Sequence, residues 1–208
     1  MLFRSITAYE VGFKATLGGG AAQLNAAAFS YDYKDIQSQV PSALSLQFTN
    51  VPSADVNGLD VELQWQPTEA FYFGAGIAFL DTEMSAFGVV PSGNELPNAP
   101  ELQYNALARY EIDVGSDYVI ALQADTKYSD SMFREGTNDI RGKTDSYSVY
   151  NARIAFFTQE GNWEVALWGR NLGDEVYAEQ IFVTDTTGVA TTYFGAPTTY
   201  GLSFRYGF

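Results

Sequence analysis

The chain has 208 residues, with 25 acidic against 11 basic side chains, a formal charge of -14 and a sequence pI of about 4.1. It contains neither Cys nor His, which excludes disulfide scaffolds, thiolate nucleophiles, Cys/His zinc sites and Ser-His or Cys-His catalytic pairs. A chain this acidic repels phosphate backbones, which argues against a nucleic-acid partner.

Aromatic residues make up 15% of the chain and charged residues only 17%. Mean hydropathy is close to neutral at -0.12. No apolar run approaches the roughly 18 residues of a transmembrane helix, and Met1 to Ser5 lack the long apolar core of a signal peptide. The dominant period is two. In chain order, Tyr9, Val11, Phe13 and Ala15 alternate with Glu10, Gly12 and Lys14. Leu59, Val61, Leu63 and Trp65 alternate with Gly58, Asp60, Glu62 and Gln64. Leu102, Tyr104, Ala106, Ala108 and Tyr110 alternate with Gln103, Asn105, Leu107, Arg109 and Glu111. Ile120, Leu122, Ala124 and Tyr128 alternate with Gln123, Asp125 and Lys127, and Leu202, Phe204, Tyr206 and Phe208 with Ser203, Arg205 and Gly207. An apolar face backed by a polar or small one is what a strand between two different solvents requires.

Nine strands are expected, at 6–16, 23–34, 55–66, 71–82, 101–112, 118–129, 147–157, 163–172 and 198–208. Several reach the ten or so residues that a tilted strand needs to cross a bilayer, whereas strands of soluble domains average nearer five or six. The connections alternate in length. Short ones run over Leu17–Ala22, Pro67–Ala70, Asp113–Asp117 and Thr158–Asn162; long ones over Asp35–Ala54, Glu83–Pro100, Asp130–Ser146 and Gly173–Pro197. Outer-membrane barrels pair short periplasmic turns with long extracellular loops. A soluble antiparallel sandwich, the competing architecture, gives no reason for that alternation.

Aromatic positions give the same answer. Trp65, Phe71, Phe73, Tyr118, Trp163, Tyr206 and Phe208 fall at the short-turn level; Tyr31, Tyr33, Phe79, Tyr104, Tyr128 and Tyr150 are expected at the opposite level. Small and aliphatic residues lie between, as in the double aromatic girdle of a membrane barrel. The expected fold class is all-β, a transmembrane antiparallel β-barrel.

Several segments then resemble one family in order. They are Tyr9-Glu10-Val11-Gly12-Phe13-Lys14, Leu24 to Gln37, Asn57 to Glu62, Gly93-Asn94-Glu95-Leu96-Pro97-Asn98-Ala99-Pro100, Arg170 to Tyr177, and Tyr193 to Phe208. Together they resemble the C-terminal part of a TonB-dependent outer-membrane receptor, over almost the whole chain. The family often carries Pro-Arg in the closing loop; here Pro197 is followed by Thr198, so no role passes to an Arg there. The resemblance implies a signal peptide, a TonB-binding segment and a globular plug ahead of a barrel of about twenty-two strands. Nine strands is an odd number and single-chain bacterial barrels use even ones. Residues 1–208 are therefore expected to be the C-terminal part of the barrel domain, about two-fifths of it, with a plug encoded upstream.

Candidate functional residues fall into groups. Phe204, Tyr206 and Phe208 resemble the signal read by the barrel-assembly machinery. Lumen-facing charges (Glu10, Lys14, Asp60, Glu62, Arg109, Glu111, Asp125, Lys127, Arg153 and Arg170) line a watery wall, with Arg109, Arg153 and Arg170 as candidate plug or lumen contacts. Their mixed signs favour ion pairing over a single-sign filter. Carboxylates at Asp130, Glu135, Asp139, Asp145, Asp174, Glu175, Glu179 and Asp185 lack the spacing of a calcium loop and flank no cleft for glycoside hydrolysis. Among loop aromatics and basics (Phe48, Phe87, Phe133, Arg134, Arg141, Tyr177, Phe182 and Tyr193), Phe133, Arg134, Tyr177 and Tyr193 are the candidate ligand contacts, since rings and guanidinium suit a large ferric chelate. The resemblance implies no enzyme, no resident cofactor or metal, and TonB-dependent uptake of a scarce small-molecule ligand across the outer membrane of a Gram-negative cell. A ferric siderophore is the first expectation, with vitamin B12, glycans or a plug-less porin as alternatives. Membrane lipid, the TonB complex, a plug and the assembly machinery are the implied partners.

Overall fold

The structure is a computed structural model that describes residues 4–41, 46–88, 90–184 and 188–207, the side chains of 37–41 and 46–51 excepted. Its strands are β1 (Ser5–Leu17), β2 (Ala22–Pro41), β3 (Leu46–Thr68), β4 (Phe71–Met84), β5 (Leu102–Val114), β6 (Tyr118–Ser129), β7 (Met132–Phe133), β8 (Lys143–Thr144), β9 (Tyr147–Thr158), β10 (Trp163–Arg170), β11 (Ala178–Thr184), β12 (Val189–Phe194) and β13 (Thr199–Tyr206). Nine of them form one sheet in the order β1-β2-β3-β4-β5-β6-β9-β10-β13. Every neighbouring pair is antiparallel. These are the nine strands expected from the sequence, within two residues at each end except where β2 and β3 meet. There the expected long connection is mostly strand: β2 continues to Pro41 and β3 starts at Leu46. Two of the other three long connections carry small sheets of their own, β7 with β8 and β11 with β12.

Turns at one end are tight. Gly18–Gly20 form a single 3-10 turn between β1 and β2, with φ of 59°, 68° and 105°, a left-handed run that side chains with a Cβ resist. Gly115 and Gly161 take the same sign of φ in the next turns at that end.

The register carries each apolar residue across the sheet to another. One row passes through Phe13, Ala26, Val61, Ile77, Tyr104 and Tyr128, and another through Phe71, Tyr110, Leu122, Ile154, Leu167 and Leu202. The face they share is bare. Leu167 is 57% exposed and Leu202 72%, although each sits in mid-strand. A sandwich would bury that face; a wall leaves it for lipid. The opposite face carries Lys14, Asn25, Glu62, Asn105 and Lys127 in one cross-strand row.

The apolar row of β4 runs from Phe71 through Phe73, Ala75 and Ile77 to Phe79, about 27 Å along the strand at roughly 3.4 Å per residue and somewhat less once tilted. Beyond Phe79 the two faces exchange character. The outer side turns acidic, with Asp32, Asp55 and Glu83 in one cross-strand row. The inner side turns apolar: Tyr33, Ala54 and Met84 share a row, and Met84 and Ala54 are buried with Phe87 and Val90, against Ile36 and Leu96. Tyr31 and Tyr33 therefore belong to the inner face, correcting their expected place in the outer girdle. Tyr31 stacks on Phe29 at 4.8 Å and donates to Glu10 at 3.4 Å, an inner-face residue. Tyr104 and Tyr128 do lie outside, stacked at 4.9 Å.

Two single charges test this assignment. Leu167→Arg sets a charge in the middle of the lipid face and is expected to destabilise lipid-refolded protein by about 2–4 kcal/mol. Gln64→Arg, on the other face, is expected to change urea unfolding by less than about 1 kcal/mol. Equal losses in the two variants would contradict the assignment.

Candidate functional site

The inner wall is where the side chains able to do chemistry gather. Arg109 Nε donates to Glu111 Oε1 at 2.8 Å, and the Arg153 guanidinium meets Glu164 Oε1 at 2.7 Å. Arg205 approaches the other oxygen of Glu164 at 3.9 Å. Asn151 Nδ2 donates to Asp125 Oδ2 at 2.7 Å, and the Arg170 guanidinium lies 5.3 Å from the Trp168 ring. Arg109, Arg153 and Arg170 thus all stand on the polar face, each with a neighbour of complementary character. Glu164 and Trp168, which complete two of these contacts, were not singled out from the sequence.

At the long-loop end of the same face lies a recess of about 390 Å³, lined by Asn98, Gln103, Lys127, Ser129, Met132, Arg134, Tyr147, Val149, Asn151, Tyr177 and Glu179. Strands β5, β6 and β9 supply its floor through the inner-row residues Gln103, Lys127, Ser129, Tyr147, Val149 and Asn151. Loops supply the rest. Tyr147 and Tyr177 stack at 4.5 Å with ring planes 12° apart, so a wall strand holds a loop by an aromatic pair. Gly195 makes this approach feasible, since a Cβ there would fall 2.1 Å from the Tyr177 ring. Burial raises the Tyr177 phenol above its ordinary pKa, with Glu179 and Tyr147 adding to the rise. The phenol thus stays a protonated donor throughout the neutral range.

Arg134 reaches the recess from the loop after β7. Its Nε donates to Thr144 Oγ1 at 2.8 Å, Nη1 to Asn98 Oδ1 at 2.9 Å and Nη2 to the Ala178 carbonyl at 2.8 Å. Burial lowers its pKa, yet a guanidinium stays charged. The recess thereby offers two cations, one carboxylate (Glu179), two stacked phenols and several amides. The cations, phenols and amides of that set are chemically suited to a planar, oxygen-rich molecule through charge, stacking and hydrogen bonds.

Two of the four ligand-contact candidates, Arg134 and Tyr177, come together here. Phe133 lies instead beneath Lys143, 5.1 Å away, and Tyr193 meets Phe182 edge-on at 5.9 Å on the β11–β12 hairpin. Phe204 and Tyr206 occupy the outer face opposite Val165 and Trp163; Phe208 lies outside the described residues, as does Asp185 and the side chain of Phe48. Several loop carboxylates act as local acceptors. Asp130 Oδ1 accepts from the Ser131 amide at 2.7 Å, and Asp139 accepts from the amide and guanidinium of Arg141, which holds its pKa down to about 2.

Two quoted segments prove to be loop fasteners. Asn98 N–H donates to the Phe133 carbonyl at 2.8 Å, and Asn138 clasps the backbone of Glu95, accepting at 2.7 Å and donating at 3.0 Å. In the last connection Asn171 is buried, at positive φ, and its Nδ2 donates to the carbonyls of Glu175 and Ala196 at 2.9 and 3.0 Å. Its Oδ1 accepts from the Glu175 amide, while Thr198 Oγ1 donates to the Asn171 carbonyl at 2.6 Å. Asn98, Asn138, Tyr147 and Asn171 were not foreseen as individuals. A lone Asn has no periodicity to betray it; only the runs that contain Asn98 and Asn171 stand out.

Against known proteins, the family model "TonB dependent receptor-like, beta-barrel" matches residues 5–172. Among curated sequences the chain is 22% identical over 209 residues to "Probable TonB-dependent siderophore receptor PiuA" of Acinetobacter baumannii, covering 95% of this chain and 26% of that protein. Among solved structures it superposes on the ferric yersiniabactin uptake receptor FyuA from Yersinia pestis with a TM-score of 0.84 at 18% identity, over 99% of this chain and 30% of that one. The ferric-catecholate import receptor Fiu from K12 E. coli gives a TM-score of 0.74 at 20% identity, over 97% of this chain and 27% of that one. At such identities the structural matches establish the fold alone. The chain spans roughly a quarter to three-tenths of these relatives' length.

Replacing Asn171 by Ala removes its bonds to the part-buried Glu175 and Ala196 carbonyls, at about 0.5–1.5 kcal/mol for each hydrogen bond lost. Limited proteolysis is expected to cut between 173 and 197 far faster in Asn171→Ala than in the parent, with the wall strands intact. Identical cleavage would show that the corner is held by other means.

Proposed function

We propose a function from one premise: the chain belongs to the TonB-dependent receptor-like β-barrel family. That family consists of outer-membrane receptors and transporters, so the chain's place is the outer membrane of a Gram-negative cell. Residues 1–208 serve there as wall, the C-terminal part of the receptor's barrel domain. The whole protein takes up a ferric siderophore by TonB-dependent transport. A plug fills the lumen, TonB displaces it at the expense of the inner-membrane proton gradient, and the wall's role is to bind and guide rather than to catalyse.

The observation that carries this proposal is the recess at the long-loop end, where Lys127, Arg134, Tyr147 and Tyr177 surround a polar hollow of about 390 Å³. Long loops are extracellular in such barrels, so the hollow opens toward the medium. Siderophores chelate iron through oxygen atoms and carry rings or negative charge, which the cations and phenols complement. The names of the relatives support the same ligand class: they are receptors for siderophores, ferric yersiniabactin and ferric catecholates. Lumen-facing Arg109, Arg153 and Arg170 are proposed as plug or lumen contacts. Phe204, Tyr206 and Phe208 are proposed as the aromatic signal that the barrel-assembly machinery reads.

Cells expressing the complete receptor provide the test, with radiolabelled iron supplied on a panel of purified siderophores. One of them is expected to be taken up only when the receptor and TonB are both present. Lys127→Glu and Tyr147→Ala are expected to cut that uptake about tenfold or more, the loss of roughly one charge-assisted or stacking contact, at unchanged surface level. Uptake indifferent to both substitutions would move the ligand away from this recess.

A further inference from the structure

Three separate connections meet at one side chain. The loop from β4 to β5 brings Asn98, the loop from β6 to β9 brings Thr144 and Arg134 itself, and the connection from β10 to β13 brings Ala178. All three kinds of guanidinium nitrogen are used, one for each partner, at 2.8 to 2.9 Å. The planar fork fixes the angles between these bonds, which a flexible ammonium cannot do. Ala178 and Thr144 are buried, so neither acceptor has water as a ready substitute. The Arg134 amide also donates to the Gly142 carbonyl at 3.0 Å, tying its backbone across the β7–β8 hairpin.

We propose that Arg134 is a positioning residue that locks the three loops around the recess into one unit and shapes the ligand site through them. The proposal rests on the recess being the ligand site. Three of the five guanidinium N–H bonds are committed to the loops, so the direction of the group is set by them before any ligand arrives. What it supplies is a fixed spacing between Asn98, the β7–β8 hairpin and Tyr177, which immediately precedes Ala178. Removing the fork cuts the third connection from the first two, which stay joined through Asn98 N–H to Phe133 and through Asn138 to Glu95, while β5, β6 and β9 beneath stay paired.

Distances between loops read this directly. Residues 1–208 contain no Cys, so in a complete receptor with any Cys outside them replaced, paired nitroxides at Ser92→Cys and Thr191→Cys, both exposed, report the separation of the first and third loops, reconstituted in lipid without ligand. A single narrow distance distribution is expected in the parent. Arg134→Gln is expected to broaden it roughly twofold or more, as cooperative local units do when a tie is cut. Arg134→Lys is expected to fail to restore it, whereas Asn98→Ala and Thr144→Val, each losing one of three bonds, broaden it less. Should Arg134→Gln not assemble, the two single-bond variants decide by the same criterion. An unchanged distribution in the assembled variants, or full rescue by Lys, overturns the proposal. Because no ligand is present, that failure leaves the assignment of the recess standing, and loss of the uptake phenotype alone leaves the latch standing.

Discussion

A single sheet that separates two solvents is the constraint on which the rest depends. Hydrocarbon on one side and water on the other force every wall strand to alternate, because a polar group facing lipid has no partner there. Register follows from the same demand: a slip of one residue would send a whole strand's charges into the bilayer. The cross-strand rows of Val61 with Ile77 and of Leu122 with Ile154 and Leu167 are its outcome. So are the small inner residues Ala121, Ala155 and Ala166, buried together beside Phe157 where the ion pair of Arg153 and Glu164 lies close by in the register.

Where the hydrocarbon ends, the constraint reverses. Past Phe79 water lies outside the wall, and the loops fold inward over its upper rim. Asp32, Asp55 and Glu83 face out, and Met84 and Ala54 join Phe87 and Val90 in a miniature core. Loops that bury so few apolar side chains do not hold themselves by burial alone. They are held by side chains that complete backbone hydrogen bonds: Asn138 on Glu95, Asn171 on Glu175 and Ala196, Arg134 on Ala178. The recess is a product of that sewing, since its floor is strand and its walls are loops.

This division explains what could be read from the sequence. Wall strands such as β4 and β6 were legible because lipid imposes a period on adjacent residues. β2 was legible only in part: Phe29, Tyr31 and Tyr33 alternate with Ala28, Ser30 and Asp32, and the rings look like the lipid-facing set. The register places them inside, because the upper part of β2 has left the bilayer and the polarity rule has changed sign. The extension of β2 and β3 beyond the membrane was missed for the same reason. The recess was half legible, through Arg134 and Tyr177. Tyr147 and Asn98 were hidden, since their roles come from contacts between segments far apart in sequence.

Oxygen and water-soluble nickel-chelate collisions with single nitroxides placed one by one along Tyr72 to Met84, in the complete receptor in lipid, test the central claim. The account predicts a period of two, with odd positions preferring oxygen through Phe79 and then switching to the aqueous quencher at Asp81 and Glu83. Uniform aqueous access along the strand, or oxygen preference on the even positions, would contradict it.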